Sequence, residues 1–256
     1  MPDRIIQWEG FYNARDLGGL PTINGTGTRS GVLVRSADPR FVTAAGWQSA
    51  FDAGIRTVID LRNHDEVQPG TAPTTTLGAG TFAVPAANTN VKRPAGIRTV
   101  HIPLDDIDDT AFWYHVNNQG INGTPLYFQP FIEAKPQRIA AVLAVIARTQ
   151  QGGIIFHCGG GRDRAGLVSL LLLSLAGVTR DAIAEDYELS LGQMGPLFAA
   201  LGIEHHEPNM HAFLQEQGTT VRRAIFDLLD GLDVAQYLAG AGVSDADIAS
   251  LQDRLS

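Results

Sequence analysis

The sequence predicts an α/β fold in which a central, mostly parallel sheet is flanked by helices. Continuously apolar runs at 55–61 and 154–158 are typical of buried parallel strands. Each run lies beside a segment with helical signals, at 43–54 and at 164–176. Strands that alternate with helices in this way form a parallel sheet with helices on both faces. A chain of 256 residues, 44% of them hydrophobic, is long enough to bury one such core.

Residues 1–40 are predicted to form an N-terminal β flap. Two β-type runs, at 4–8 and 32–35, are separated by a Gly-rich stretch, in which Asn24 and Gly25 mark a tight turn. We therefore expect a short hairpin-like segment before the main sheet begins.

Residues 41–177 are predicted to form the α/β core. Thr43 is placed to cap the first helix, which ends at Gly54. A further strand is expected at 99–104, and a helix at 136–148 begins with a proline, which suits the first helical turn. The helix at 164–176 is apolar on all sides and should lie at the centre of the core.

The remaining residues, 178–256, are predicted to form a helical subdomain in the same single domain. Thr179 and Ser244 are plausible N-caps, and Gly218 and Gly240 are expected helix ends. Two earlier stretches, 66–96 and 107–135, show little periodicity, and the first is predicted to be a long surface loop. Their function and the oligomeric state are not readable from the sequence.

Composition excludes several classes of protein. Nineteen basic against 27 acidic residues give a net charge of −8, which argues against a nucleic-acid binder. The single cysteine, Cys158, excludes an internal disulfide and any zinc site that needs two thiolates. No signal peptide and no apolar run of membrane-spanning length are visible, so we expect a cytoplasmic protein without stable membrane insertion, with secretion by another route left open.

Residues 157–166 carry the chemistry, because a cysteine at a strand end is followed by a glycine-rich loop and an arginine at a helix start. The glycines let successive N–H groups point inward, and the helix N-terminus adds to that anion cradle. The same field should lower the pKa of the Cys158 thiol, and Arg164 can clamp two oxygens of a phosphate. The predicted phosphate-binding residues are Gly159, Gly160, Gly161, Arg162, Asp163, Arg164, Ala165 and Gly166. A buried, inert cysteine beside an ordinary turn is the disfavoured reading.

His157, Cys158 and Arg164 match the His-Cys-x5-Arg signature of Cys-dependent protein tyrosine phosphatases. Within that superfamily, the run 161–164 resembles the Gly-Lys-Asp-Arg loop of the bacterial tyrosine and lipid phosphatase branch. Further stretches resemble that branch, at 13–19, 35–36, 60–62 and 237–244. The resemblance implies a phosphatase-like α/β fold, a phosphocysteine on Cys158, no metal or other cofactor, and a phosphotyrosine protein or a phosphoinositide as substrate.

Two residues depart from the pattern of that branch. Ala165 stands where the family usually has Thr or Ser, whose hydroxyl helps the thiolate to leave the phosphocysteine, so the second step is expected to be slow. A catalytically weak, phosphate-binding pseudophosphatase is therefore the alternative function. Arg162 stands where the branch usually has Lys, and a second cation beside the clamp would suit multiply phosphorylated substrates, although a solvated arginine is equally compatible.

The general acid has three candidates, because the leaving oxygen needs a carboxylate within hydrogen-bond reach. Asp163 resembles the loop aspartate that has an acid–base role in this branch. Asp105 and Asp106 follow the strand at 99–104, where the wider superfamily keeps its acid loop. His157 is expected to orient the loop through hydrogen bonds.

Other polar residues resemble family positions around the site. Asp16 and Arg62 are predicted to reach the pocket as supporting residues. The rest, interpreted as structural ion pairs that brace the flap, are Asn13, Arg15, Asp60 and Glu66.

A metal-dependent hydrolase is the least favoured alternative. Its ligands would come from Glu204, His205, His206 and Glu207, together with His211. The spacing of five between the last two histidines does not put them on one helix face, and a proline interrupts the segment.

Overall fold

The computed structural model describes residues 4–67, 74–77, 80–86, 91–150, 152–204 and 207–256. In these ranges the chain forms a central sheet with helices on both faces, together with a separate two-stranded ribbon. The predicted α/β class is therefore confirmed.

The central sheet has the strand order β1-β2-β7-β3-β6, and β4 pairs with β5 in the ribbon. The strands are β1 (Arg15–Asp16), β2 (Leu33–Ser36), β3 (Ile55–Asp60), β4 (Thr74–Leu77), β5 (Gly80–Ala83), β6 (Arg98–His101) and β7 (Gly153–His157). Pairings β2–β7, β7–β3 and β3–β6 are parallel, and β1–β2 is antiparallel. The carboxyl ends of β2, β3 and β7 therefore meet at one edge of the sheet.

Helices cover both faces of this sheet. They are α1 (Ala44–Asp52), α2 (His64–Val67), α3 (Thr110–Asn118), α4 (Phe128–Ala134), α5 (Pro136–Arg148), α6 (Arg164–Leu175), α7 (Arg180–Leu201), α8 (Glu207–Glu216), α9 (Val221–Asp230), α10 (Val234–Gly240) and α11 (Asp245–Leu255). On β7, Ile155 packs toward Trp47 of α1, while Ile154 and Phe156 face the larger cluster formed with α4 to α11. This alternation follows from the two-residue period of a strand.

Helix α6 is buried along nearly its whole length, as its all-round apolar sequence predicted. The predicted caps also occur: the hydroxyls of Thr43 and Ser244 accept hydrogen bonds from the first turns of α1 and α11. Thr179 precedes α7 but makes no side-chain cap bond.

Three segments differ from the sequence-based expectation. The predicted strand at 99–104 ends at His101, and the stretch 107–135 contains α3 and α4. The stretch 66–96, predicted as a loop, contains the β4–β5 ribbon, whose short polar strands lack a clear apolar alternation. The proposed division at residues 40 and 177 stays a prediction.

The N-terminal segment is more closely joined to the core than the word flap suggests. Strand β2 is an inner strand with all four residues buried, paired with β7 on one side and β1 on the other. At residues 4–8 the described backbone has an isolated bridge from Ile5 to Arg15 and no regular strand. In the described ranges, none of the helices combines the length and apolarity that a membrane crossing requires.

Candidate active site

The candidate site lies where β7 ends and α6 begins. Residues 158–163 form the connecting loop, at the same sheet edge as the ends of β2 and β3. The register places Ser36 and Asp60 beside His157, immediately before the loop. Parallel-sheet proteins bind ligands in this position because loops and helix N-termini converge there.

Glycines let the loop pass close to its neighbours. Gly161 has a φ of +71°, and a Cβ on it would lie 2.5 Å from the carbonyl of Ser36. A Cβ on Gly160 would lie 2.8 Å from the side chain of Met194. The positive φ and the close backbone contact at position 161 therefore require glycine there.

Cys158 lies at the base of this loop and is only 2% exposed. Backbone N–H groups of Gly161 and Ala165 donate to its sulfur, and the charge of Arg164 also favours the thiolate. Burial outweighs these contacts and raises the pKa of the Cys158 thiol. The prediction of a lowered pKa was therefore wrong.

Arg164, the cation beside Cys158, also forms ion pairs with two carboxylates. Its Nη1 lies 2.5 Å from Oε2 of Glu66, and its Nε lies 3.6 Å from Oδ2 of Asp105. Two carboxylates thus share the guanidinium that was expected to stabilise the thiolate. Glu66, expected from the sequence to brace the flap, lies instead beside the phosphate loop, where it pairs with Arg164.

A cavity of about 380 Å³ opens above Cys158. Among its lining residues are Cys158, Gly160, Asp163, Arg164 and Asp105. The structure therefore brings together the predicted nucleophile, the predicted clamp and two of the three predicted acids.

Asp105 is the acid candidate with the most perturbed surroundings. It is 8% exposed, and burial raises the pKa of its carboxyl to about 6. Glu66 contributes to that increase, and Arg164 opposes it. Among the described residues, its buried Oδ1 has no hydrogen-bond partner, whereas Oδ2 lies 3.5 Å from Nδ2 of Asn63. Oδ1 is thus a group suited to bind or release a proton in the cavity.

The other two acids are more fully engaged. Asp106 forms ion pairs with Lys135 at 3.3 Å and Arg138 at 2.9 Å and is absent from the cavity wall that the structure describes. Asp163 lines the cavity, but its Oδ1 accepts from Arg162 Nε at 3.0 Å and lies 3.4 Å from the Tyr187 hydroxyl.

The predicted second cation points away from Cys158. The Nη2 atom of Arg162 donates to the carbonyl of Gly123 at 3.0 Å, and its side chain lines a neighbouring groove of about 390 Å³ with Phe82 and Phe213. Within the described residues, Arg162 contributes to that groove and not to the wall around Cys158. The other predicted phosphate-binding residues, Gly159, Ala165 and Gly166, are buried.

The three predicted supporting residues, His157, Arg62 and Asp16, lie in different surroundings. His157 is buried, which lowers its pKa, and its Nε2 lies 3.7 Å from Oδ1 of Asp60 while Nδ1 lies 3.3 Å from the Cys158 carbonyl oxygen. Arg62 pairs with Asp38 and Asp60, each at 2.6 Å, in a separate cavity of about 260 Å³ that His157 also lines.

Asp16 does not support the site directly. Its carboxylate accepts hydrogen bonds from the backbone of Gly18 at 2.8 Å and Gly31 at 2.6 Å and thereby ties two turns together. The expectation that Asp16 and Arg62 reach the pocket is corrected, because backbone amides hold the first and carboxylates hold the second.

One aliphatic and three aromatic side chains that the sequence did not single out also line the cavity. They are Ile107, Trp113, Tyr114 and Tyr127. Tyr114 is 73% and Ile107 is 40% exposed. Their only signal was the polar-aromatic character of the stretch 107–135.

The alternative metal site gains no support. His205 and His206 lie outside the described residues. In the part of the chain that is described, no group of three or more His, Cys, Asp or Glu residues is arranged to hold a metal ion.

Comparison with known proteins gives a matching family model and several relatives. A family model described as "Tyrosine phosphatase family" matches residues 6–256. A putative tyrosine-protein phosphatase of Cupriavidus necator is 28% identical, with 71% of this chain and 61% of that protein covered. A tyrosine-protein phosphatase of Nostoc commune is 25% identical, with 92% and 78% covered. The triple specificity protein phosphatase PtpB of Mycobacterium tuberculosis is 28% identical, with 93% and 87% covered. The chain thus spans about three fifths of the length of the Cupriavidus relative.

Proposed function

The chain belongs to the tyrosine phosphatase family, and we propose that it hydrolyses phosphate monoesters, above all phosphotyrosine in proteins, through a phosphocysteine on Cys158. One observation carries the proposal. Cys158, Arg164 and a buried carboxyl group line one cavity, and N–H groups of the glycine loop point at the sulfur. A thiolate nucleophile, an oxyanion cradle and a proton donor are what this reaction needs.

In the first step, Cys158 Sγ attacks phosphorus and the S–P bond forms as the ester P–O bond breaks. The loop N–H groups and Arg164 hold the equatorial phosphate oxygens, which carry the charge in the transition state. The departing oxygen takes a proton from a carboxylic acid. The Cys158 proton must be lost before attack, so the rate rises with pH until that acid deprotonates.

We assign the acid role to Asp105, with Asp163 as the competing candidate. A pKa of about 6 keeps a useful fraction of Asp105 protonated near neutral pH, the residue lines the cavity, and its Oδ1 has no hydrogen-bond partner among the described residues. In the second step, Asp105 takes a proton from water as the water oxygen attacks phosphorus and the S–P bond breaks. Phosphate and the Cys158 thiolate are the products.

Substrate choice follows from the shape of the cavity. Cys158 is buried at its base, and aromatic side chains line it, so a phosphate on a long, flat aryl group reaches the sulfur and packs against apolar walls. A phosphoinositide is the second substrate candidate. The relative PtpB is named as a triple specificity phosphatase, which makes a broad substrate range worth testing in this chain.

The test compares phosphotyrosine peptide, phosphoserine peptide and phosphoinositide hydrolysis by the full chain, with and without chelator. We expect phosphotyrosine hydrolysis that chelator leaves unchanged, and no turnover by Cys158→Ser, which should still bind inorganic phosphate. Loss of activity with chelator, or turnover by Cys158→Ser, would contradict the cysteine mechanism.

Ala165 favours one alternative, a catalytically weak phosphate-binding protein. A methyl group cannot donate the hydrogen bond that eases departure of a thiolate. A wild-type chain that binds phosphotyrosine and forms phosphocysteine once, without steady turnover, would establish that alternative.

A further inference from the structure

Three residues outside the phosphate loop donate hydrogen bonds to carbonyl oxygens on its outer side. The Gly159 carbonyl oxygen accepts from the backbone N–H of Asp38 at 3.0 Å. The Gly160 carbonyl accepts from Asn13 Nδ2 at 2.8 Å. Arg35 Nη2 donates to the next two carbonyls, those of Gly161 at 2.7 Å and Arg162 at 3.1 Å. Four successive carbonyl oxygens of residues 159–162 are therefore bound from outside.

This arrangement controls where the loop N–H groups point. In a trans peptide the C=O and N–H bonds face opposite sides of the same rigid plane. A carbonyl held on the outside therefore directs the next N–H inward. The peptide between Gly160 and Gly161 shows both ends of this relationship, because its carbonyl binds Asn13 while its N–H donates to Cys158.

Asp186 on α7 fixes the direction of Arg35. Its Oδ2 accepts from Arg35 Nη1 at 2.8 Å, and its Oδ1 accepts from Arg15 Nε at 3.1 Å. Arg15 in turn donates to Asn13 Oδ1 at 2.8 Å. One buried carboxylate thus orients both side chains that reach the loop.

Asn13 itself has an unusual backbone. Its φ of +47° makes it the only residue other than glycine with a positive φ in the described part of the chain. Such a conformation costs free energy, and Asn tolerates it better than most residues. Here it aims the amide group at Gly160.

We propose that Asn13 and Arg35 are positioning residues of the phosphate site: they hold the loop carbonyls outward so that the N–H groups stay aimed at Cys158 and at bound phosphate. The inference rests on the proposed function only where it concerns turnover. The orientation of the loop N–H groups does not depend on it. The sequence-based interpretation of Asn13 as a brace of the flap is thus refined, because its amide also sets the direction of a loop peptide.

The test uses the single cysteine of the chain as its reporter. We would measure the rate of Cys158 alkylation by iodoacetamide against pH, together with competitive inhibition by inorganic phosphate. Arg35→Lys keeps the charge but loses the planar fork, and Asn13→Gly tolerates the positive φ but loses the donor. We expect each variant to raise the apparent thiol pKa by about half a unit to one unit, and to weaken phosphate inhibition by about fivefold or more, because hydrogen bonds to the ionised sulfur and to phosphate are lost.

Arg4→Lys is the matched control. Arg4 Nη1 also binds Asp186, at 2.9 Å, and the carbonyl of Asp16, at 2.8 Å, but none of its contacts in the described structure is to the loop. It should lower the melting temperature while it leaves the thiol pKa and phosphate inhibition nearly unchanged. Equal shifts in Arg4→Lys and Arg35→Lys would overturn the proposal, as would a folded Asn13→Gly chain with the wild-type pKa and inhibition.

Alkylation of Cys158 needs no turnover. The positioning role of Asn13 and Arg35 and the proposed phosphatase function can therefore fail separately, and the experiment tells which has failed. A wild-type chain that hydrolyses no phosphomonoester would refute the proposed function. The expected pKa shifts in the same chain would still support the positioning role.

Discussion

The guanidinium of Arg164 is held in a forked ion pair by Glu66, with Nη1–Oε2 at 2.5 Å and Nη2–Oε1 at 3.2 Å. Glu66 belongs to α2, which follows β3, whereas Arg164 begins α6. The Glu66 carboxylate also accepts from the backbone N–H of Asn63 at 2.9 Å, so it is itself oriented. The pair fixes the plane of the group that would clamp phosphate, because a forked pair admits one arrangement.

Glu66→Gln tests that relationship. We expect kcat/KM for an aryl phosphate to fall by about 10- to 100-fold, because small displacements of a positioning group have effects of that size. The levelling-off of the pH–rate profile that reports deprotonation of Asp105 should move to lower pH, because the Glu66 charge helps to raise the pKa of Asp105. Steady-state rates from pH 5 to 9 provide the measurement.

Glu188→Gln is the control for Glu66→Gln, since Glu188 forms a similar pair with Arg222 at 2.6 Å on a more exposed surface. It should leave both rate and pH profile unchanged. A Glu66→Gln enzyme with the wild-type profile would show that Arg164 is oriented by other contacts.

Asp105→Asn tests the general acid. Loss of a positioned acid lowers kcat by about 10²- to 10⁴-fold. The rate should rise with pH and level off near pH 6, where Asp105 deprotonates, and we expect this change of slope to disappear in Asp105→Asn. The loss should shrink for substrates whose leaving group needs no proton, such as a nitrophenyl phosphate. Rates on both substrate types against pH provide the measurement.

Two neighbouring carboxylates serve as comparisons for Asp105→Asn. Asp106→Asn changes the adjacent residue, which pairs with Lys135 and Arg138, and should keep the wild-type profile. Asp163→Asn changes the competing candidate. If it alone removes the change of slope in the pH–rate profile, the acid role belongs to Asp163.

The sequence predicted the parts of this molecule that depend on local pattern. The strands at β3 and β7, the buried α6 and the loop with Cys158 follow from apolar runs and glycine spacing, and all are present. Asp105 was placed among three acids because it follows a predicted strand. Its selection needed the burial and the unpaired oxygen that only the structure shows.

What the sequence could not predict depends on contacts between distant segments. Glu66 meets Arg164 across 98 positions, and Arg35 meets the loop across 126. The pKa of Cys158 was predicted in the wrong direction because its largest cause, burial of the sulfur, results from the packing of distant segments around the loop. The local motif predicts the guanidinium of Arg164, but only the folded structure shows the carboxylates of Glu66 and Asp105 that pair with it.

Asp105 should also make stability depend on pH. Its pKa rises from 3.8 to about 6 on folding, so the folded state binds more protons between those values and loses stability as pH rises through 6. The cost of the ionised form at pH 8 is on the order of 3 kcal/mol. Asp105→Asn should therefore raise the melting temperature at pH 8 and change it little at pH 4. Calorimetry at both pH values tests this, and a lower melting temperature of Asp105→Asn at pH 8 would contradict a net cost of ionising Asp105 in the folded chain.

Ala165 sets the expected balance between the two chemical steps. Its N–H donates to Cys158, but its methyl side chain offers the departing sulfur no hydroxyl. Phosphocysteine should therefore accumulate in the wild type and appear as a burst of phenol release before the steady rate. Ala165→Thr should reduce the burst and raise the steady rate by about tenfold, the worth of one hydrogen bond to a charged group.

Ala165 is fully buried, so Ala165→Ser is the smaller variant to compare if the extra methyl disturbs packing. Stopped-flow traces decide: a burst of equal size in the wild type and in both variants would show that position 165 does not control the second step.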